Sequence, residues 1–358
     1  VEEQRRDKEL IQSLRLVAPG TELREGISRI LSAHNGALIV IGDSEDVLAI
    51  INGGFRIDCD FSAPRLYQLC KMDGAVILSE DLSTIRYANV HLVPDPSIPS
   101  KEGGTRHRTA ERVAKQTNKL VIAISERLER VTLYRRDWKH VLEDPRVVIS
   151  KSTQALQALE KYKMRLDQVS QSLSALEVDN LVTLQDVAKV LQRSEMMSRI
   201  ATEIELYLSE LGVEGRLIAL QLEELMAGVE KEKENVIRDY RVEEHGRSVE
   251  AVQRSLSRLS SEELLQLTNI AQTLGYSGAQ DELDRPLIPR GYRVLNRIPR
   301  LPSSVVDKLV KHFKNLQSVM NASLESLDEV DGVGKARAVA IQDGLRRIAD
   351  SSIIDHYL

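Results

Sequence analysis

Apolar positions change period twice along this chain. Between residues 37 and 134, β-branched and aliphatic runs alternate with helical stretches. ALIVIG (37–42), DVLAII (46–51), AVILS (75–79), TIRYANVHLV (84–93), LVIAIS (120–125) and RVTLY (130–134) read as strands. Asn52-Gly53-Gly54 and Asp58 supply turn chemistry, and Pro94, Pro96 and Pro99 mark a loop. Helices are expected near 3–16, 21–33, 61–71 and 108–117. The pattern predicts an α/β domain around a mixed sheet over residues 1–140.

From Arg146 to Arg285 there is no proline. Leu159, Tyr162, Leu166, Val169, Leu173 and Leu176 recur at alternating spacings of three and four, which puts all six on one stripe of a helix. Such a stripe must be buried, and packing in a helical bundle explains it better than a coiled coil because the pattern fades after about three heptads. Residues 141–285 are therefore expected to form an all-α connecting domain. Proline returns at Pro286, Pro289, Pro299 and Pro302, opening a helical unit over 286–358. Within it, RIPRLPSSVVDKLVKHF and SLDEVDGVGKARAVAIQDGLRRI read as two copies of helix, tight turn and helix, a candidate internal repeat. The fold class expected is multidomain, α/β followed by all-α.

Charge adds one lean. The net charge is −5, yet residues 285–358 carry 12 Lys and Arg against 8 Asp and Glu, leaving the acidic excess to the rest. Nucleic-acid contact, if any, belongs at the basic end. Cys59 and Cys70 are the only cysteines and form no CxxC pair or zinc spacing, so they read as buried apolar groups in a reducing compartment. No run approaches the roughly 20 apolar residues of a membrane span, and the first ten residues are charged throughout. No membrane partner and a cytoplasmic location are expected. His34, His91, His140, His245, His312 and His356 are scattered and read as structural or solvated.

Two clusters carry chemistry. In Lys71-Met72-Asp73-Gly74-Ala75, a carboxylate at a strand's edge can reach a metal or a hydroxyl, and Gly74 permits close approach of a ligand to the backbone. Taken alone, the tripeptide Asp73-Gly74-Ala75 is more commonly an Asp-Gly turn feeding a strand. In Glu102-Gly103-Gly104-Thr105-Arg106-His107-Arg108-Thr109-Ala110, glycines precede a helix whose first N–H groups and dipole favour anions, and Arg106, His107 and Arg108 add cationic donors. A solvated basic turn would explain RHR alone, but Gly-Gly-Thr at a helix entrance favours phosphate. Neither a Walker A loop nor GxGxxG occurs.

KMDGAVILSED, YANVHLVPD, GGTRHRTAERVAKQT and LVIAISER, in this order, resemble the diadenylate cyclase domain. With the helical middle and the C-terminal repeats, the resemblance extends over the whole chain to the family of bacterial DNA integrity scanning proteins. It implies that two ATP molecules are condensed into cyclic di-AMP, with Asp73 holding Mg²⁺ or Mn²⁺ and activating a ribose 3′-hydroxyl. Gly74 and Ala75 would line the nucleotide site, Leu92 would lie beside the adenine, and Ser125 near the phosphates. Thr105, Arg106, His107, Arg108 and Thr109 would hold the phosphates. Because each nucleotide is both nucleophile and electrophile, two sites should face one another across a two-fold axis, and the family assembles such pairs into a homo-oligomer, an octamer.

Asp331-Gly332-Val333-Gly334-Lys335-Ala336 resembles the turn of helix-hairpin-helix DNA-binding domains, where backbone N–H groups, Lys335 and Arg337 would grip a phosphate without reading sequence. Gly332 is equally suited to an ordinary helix cap. The family implies branched DNA as the partner and a nucleoid-associated location. A second reading stands beside the enzyme: a DNA-binding architectural protein whose α/β domain senses a nucleotide without chemistry. Asp73 favours the enzyme, since a sensor has no evident need of it, and a hydrolase lacks a recognisable water-activating motif.

Overall fold

ALIVI is apolar at every position because both faces of its strand are covered. The structure, a computed structural model, describes residues 2–243 and 247–356. Ala37–Ile41 forms β1, fully buried. Ile39 and Ile41 point into one core with Leu14, Leu23, Ile27 and Ile30 of the helices Glu2–Val17 and Glu22–Ser32. Leu38 and Val40 point into a second core with Ala110, Val113 and Ala114 of the helix Thr105–Thr117. The alternation of a strand thus feeds two apolar layers on either side of one sheet.

The remaining strands are β2 (Ile51–Asn52), β3 (Phe55–Asp60), β4 (Ala75–Leu78), β5 (Thr84–Leu92), β6 (Leu120–Ser125), β7 (Arg130–Arg135) and β8 (Trp138–Val141). Their order is β2-β5-β4-β1-β6-β7-β8, with β3 also paired to β5. Only β1 and β4 run parallel, so the sheet is mixed.

DVLAII is corrected. Glu45–Leu48 is a helical turn and only Ile51 enters a strand. Ser44 lies at its N-cap, Glu45 and Asp46 favour its first turn, and Val47 and Ile50 reach the core at i, i+3 spacing, which a strand would splay to opposite faces. The sequence pattern does not reveal β3 and β8, because FRIDCD carries charge at alternate positions and WKHV is only four residues long with polar residues at its centre. Asp58 lies inside β3, at φ +46°, where the register with β5 shifts.

Pro145 begins the helix Pro145–Asp179, where a proline costs no hydrogen bond. The chain divides into two compact units, Val1–Gln154 with Ile204–Leu220, and Ala155–Glu203 with Gln221–Leu358. Within the second, Leu159, Leu166 and Leu173 of the stripe are buried, and Tyr162, Val169 and Leu176 are half-buried. Ser170, Ser174 and Glu177 are buried beside them; fully buried Arg293 bonds Glu177, the Ser170 carbonyl and Glu232, and Arg297 donates to the Ser174 hydroxyl. Asp239 accepts from the backbone N–H groups of Gly291, Tyr292 and Arg293 at 2.7–2.8 Å, capping the helix Tyr292–Leu295. The C-terminal region is seated on the helical segment by this polar junction.

The internal repeat is visible in the turns. Tyr292–Leu295 and Ser303–Phe313 flank one, Leu324–Asp328 and Gly334–His356 the other. The Leu301 N–H bonds the Ile298 carbonyl and the Val333 N–H bonds the Val330 carbonyl. Arg300 at φ +62° and Gly332 at φ +88° occupy the same left-handed position. Ile298, Val330 and Val333 anchor both turns in one core. No helix among the described residues is long and apolar enough to cross a membrane.

Candidate active site

Sheet register brings the singled-out residues to one end of the sheet. Leu38 near the start of β1 pairs with Ala75 at the start of β4, and Ala37 pairs with Ile124 next to Ser125 at the end of β6. Ala75 also pairs with Val90, two residues before Leu92 closes β5. Asp73 and Gly74 precede β4, Gly36 precedes β1 and Ser125 ends β6, so all four collect at the same edge. The helix Thr105–Thr117 begins there too, since Arg106 Nη1 donates to the Ile124 carbonyl at 3.4 Å.

Asp73 is exposed, and no hydrogen bond or ion pair engages its carboxylate among the described residues. Gly74 has φ +89°, and a Cβ there would lie 2.8 Å from the Val90 carbonyl oxygen. Its small size thus serves the close passage of β5 as well as any ligand. Ala75 is buried. Leu92 is 4% exposed and packs in the core with Val90 and Ile50, so it forms no open wall in a single chain.

Gly104 is the N-cap of the helix and offers no side chain to cap it. A cleft of about 840 Å³ opens at this end, lined by His34, Gly104, Thr105, Arg106, His107, Ser125, Glu126 and Arg127. The guanidinium of Arg106 lies flat over Gly36, where a Cβ would come within 2.2 Å of Nη1. His107 Nδ1 is 2.9 Å from the Tyr134 hydroxyl. Burial lowers the His107 pKa against the pull of Glu102, so at neutral pH the ring is neutral rather than the cation that the sequence suggested. Arg108 is exposed, with Nε 3.4 Å from the Glu102 carbonyl, and Thr109 is half-buried. Ser125 Oγ accepts from Leu128 N–H at 3.3 Å.

The loop before the helix is strapped along it. Arg112 donates to the Ile98 carbonyl and Lys115 to the Pro99 carbonyl, each at 2.9 Å. Glu111 accepts from Ser100 and the Lys101 N–H. Burial works to raise Glu111, but Lys115, Ser100 and Lys101 outweigh it and hold the carboxyl below the usual range.

Sequence reasoning missed Gly36, Tyr134 and Arg127, and gave Glu102 no role. Gly36 directly before a buried strand was the one signal available; the others depend on tertiary placement. His34, read as structural or solvated, lines the cleft and pairs with Glu129 at 2.8 Å. His140 bonds Glu210 and His312 meets Phe313 edge to face, both structural, and His91 is exposed. His245 and the side chain of His356 lie outside the described residues. Burial pushes the Cys70 thiol up to about 12, which fits an inert apolar group, and Cys59 packs against the same core.

No cluster of three or more His, Cys, Asp or Glu suited to a metal occurs among the described residues. A lone exposed carboxylate fits a Mg²⁺-type ion that takes its remaining ligands from phosphate oxygens and water. At the C-terminal turn Gly332, Gly334 and Lys335 are exposed, while Arg337 Nη1 donates to the Gly332 carbonyl and Lys308 pairs with Asp331. Arg290, Arg293 and Arg297, counted in the basic excess, are bound instead to carbonyls and carboxylates of residues 170–241.

Comparison with known proteins follows this division. Residues 24–138 match the family profile described as DisA bacterial checkpoint controller nucleotide-binding, and residues 142–283 that of the DisA bacterial checkpoint controller linker region. The DNA integrity scanning protein DisA of Acetivibrio thermocellus is 50% identical over 99% of this chain and 98% of its own. That of Symbiobacterium thermophilum is 55% identical over 94% and 95%, and that of Streptomyces coelicolor 50% over 97% and 93%.

Proposed function

This chain belongs to the DisA family of bacterial DNA integrity scanning proteins, and from that premise we propose that it condenses two ATP molecules into cyclic di-AMP and two pyrophosphates, under the influence of bound DNA. The observation that carries the reading is that register places an unpartnered carboxylate, Asp73, at the same end of the sheet as an uncapped helix start bearing Arg106, His107 and Arg108, although Asp73 does not itself line the cleft there. The 3′-oxygen of one nucleotide attacks the α-phosphorus of the other in line, its proton leaves towards Asp73, and the bond to pyrophosphate breaks. Arg106, His107 and Arg108 stabilise the charge gathering on the departing phosphates. Asp73 would also hold Mg²⁺ or Mn²⁺, which when bound neutralises phosphate charge. Thr105, Thr109 and Ser125 complete the phosphate side, and Gly74, backed by the buried Ala75 and Leu92, the nucleoside side. The chemistry needs two copies face to face, and an octamer built from such pairs satisfies it.

Pyrophosphate release tests the nucleophile. ATP should release it, whereas 3′-deoxy-ATP should not; equal release from both would make water the nucleophile and sink the cyclase reading.

Gly36→Ala is expected to weaken nucleotide binding about 10- to 100-fold, the worth of a charge-assisted hydrogen bond or two. The added methyl meets the far end of a flexible side chain, so Arg106 swings away while the fold persists. Titration with 3′-deoxy-ATP beside a thermal melt checks this; unchanged affinity would remove Arg106 from the phosphate site.

The two C-terminal turns are proposed to bind DNA, with branched DNA the preferred form and the nucleoid the place of action. Gly332 and Gly334 expose backbone N–H groups to a phosphate, Lys335 supplies charge, and Arg337 braces the turn while contributing its own. Lys335→Ala should weaken all DNA sequences alike and lower the magnitude of the salt slope by about 1. Binding measured across salt concentrations on unrelated sequences decides, and a loss confined to one sequence would contradict a phosphate contact.

A further inference from the structure

The second C-terminal turn carries a charge that its geometry does not require. Asp331 lies one residue before Gly332, with its side chain 89% exposed. The first turn supplies the comparison, because one N–H to carbonyl bond closes each, from Leu301 to Ile298 and from Val333 to Val330. Arg300 and Gly332 take the left-handed position in the two turns, and Pro299 stands where the second has Asp331. An uncharged residue therefore serves that position equally well. Among the described residues the Asp331 carboxylate caps no N–H of its own turn, and its partner is Lys308.

Lys308 comes from the helix Ser303–Phe313, which leaves the first turn. Val305 and Lys308 are three residues apart, so they share one face of that helix, and this face lies against the second turn. A Cβ at Gly332 would sit 3.6 Å from Val305 Cγ2 and 3.9 Å from Lys308 Nζ. The ammonium thus stands beside Gly332, half exposed, and joins Lys335 and Arg337 as a third cation around the turn. As a structural contact the Lys308–Asp331 pair is worth little, since exposed ion pairs gain small energy in water and are screened by salt. A carboxylate at this place has a larger effect on a ligand. It offers the same charge sign and the same kind of acceptor oxygen as a backbone phosphate, on an ammonium that a phosphate at this turn would reach.

We infer that Lys308 is a further DNA-backbone contact, and that Asp331 holds it in the free protein as an internal substitute for a phosphate which DNA must displace. This rests on the DNA reading of the turns. Carboxylate and phosphate compete for one ammonium, so Asp331 opposes every DNA sequence alike and acts as a brake on non-specific attachment.

The test is binding of a labelled four-way DNA junction by the full chain across a range of salt concentrations, with Asp331→Asn, Lys308→Ala and the two combined. Both side chains are exposed, so all three variants should melt with the wild type. Asp331→Asn is expected to bind about three- to tenfold tighter with a steeper salt dependence, and Lys308→Ala about three- to tenfold weaker with the slope lowered by about 1 in magnitude. In the Lys308→Ala background the gain from Asp331→Asn should shrink, because the carboxylate then has no ammonium to withhold. Asp331→Asn affinity at or below wild type, or unchanged binding by Lys308→Ala, would overturn the inference. An undiminished gain in the Lys308→Ala background would overturn it too, by making Asp331 a plain repulsive charge. Absence of junction binding by the wild type would instead overturn the DNA reading beneath it.

Discussion

Asp73→Asn is expected to lower cyclic dinucleotide formation by roughly 10²- to 10⁴-fold, the loss typical of a positioned base or metal ligand. The substitution keeps the shape of the side chain and removes the charge that a departing 3′-hydroxyl proton and a divalent ion both require. Asp73 is exposed and unpartnered, so the fold and thermal midpoint should be unchanged. Nucleotide should still bind, because Arg106, His107 and Arg108 remain at the helix start. Turnover of the folded variant against wild type is the measurement, and near wild-type turnover would leave Asp73 without a catalytic role.

Arg293→Ala is expected to destabilise the second unit by about 3–5 kcal/mol, the cost of breaking a buried ion pair from one side. The reason is what it strands: Glu177 is fully buried, and its other partner is the Tyr240 hydroxyl at 2.7 Å, which cannot balance its charge. Glu232 suffers less, since Arg297 stays within 2.9 Å. Burial works to raise Glu232, but Arg293 and Arg297 together outweigh it and hold its carboxyl below the usual range. The double variant Arg293→Met, Glu177→Met should recover much of the loss by removing both charges at once. Denaturant midpoints of the three proteins check this, and an Arg293→Ala midpoint equal to wild type would show that the junction contributes little.

That junction also marks where sequence reasoning stops. The stripe Leu159 to Leu176 was readable because apolar burial follows helical spacing, yet Ser170, Ser174 and Glu177 on the same helix are as buried and gave no sign of it. Their burial depends on Arg293 and Arg297, 116 to 123 residues away in the chain. The basic excess of the C-terminal region misled for the same reason: a count of charges does not distinguish Lys335, exposed at a turn, from Arg293, wholly enclosed.

In the α/β unit, ALIVI and LVIAIS were plain because continuous apolar runs suit strands covered on both faces. DVLAII satisfied the same rule and is a helical turn, since four residues suffice for one and the Ser44 carbonyl closes it by accepting from the Val47 and Leu48 N–H groups, which outweighs β propensity over so short a span. The candidate site was visible as separate motifs, DGA and RHR, but their meeting was not. It comes from the parallel pairing of β1 with β4 and the antiparallel pairing of β1 with β6, which no local pattern encodes. Gly36 and Tyr134 acquire meaning only after that pairing, one as the floor beneath Arg106 and the other as the brace of His107.

Mass analysis of the nucleotide products formed when the full chain is incubated with ATP and Mg²⁺ or Mn²⁺ bears most directly on what this site does. The expected product is a cyclic dinucleotide with two 3′–5′ linkages, accompanied by one pyrophosphate for each ATP consumed. Recovery of ATP unchanged, or of ADP or AMP in place of a dinucleotide, would contradict the assignment and leave a site that binds nucleotide without joining two of them.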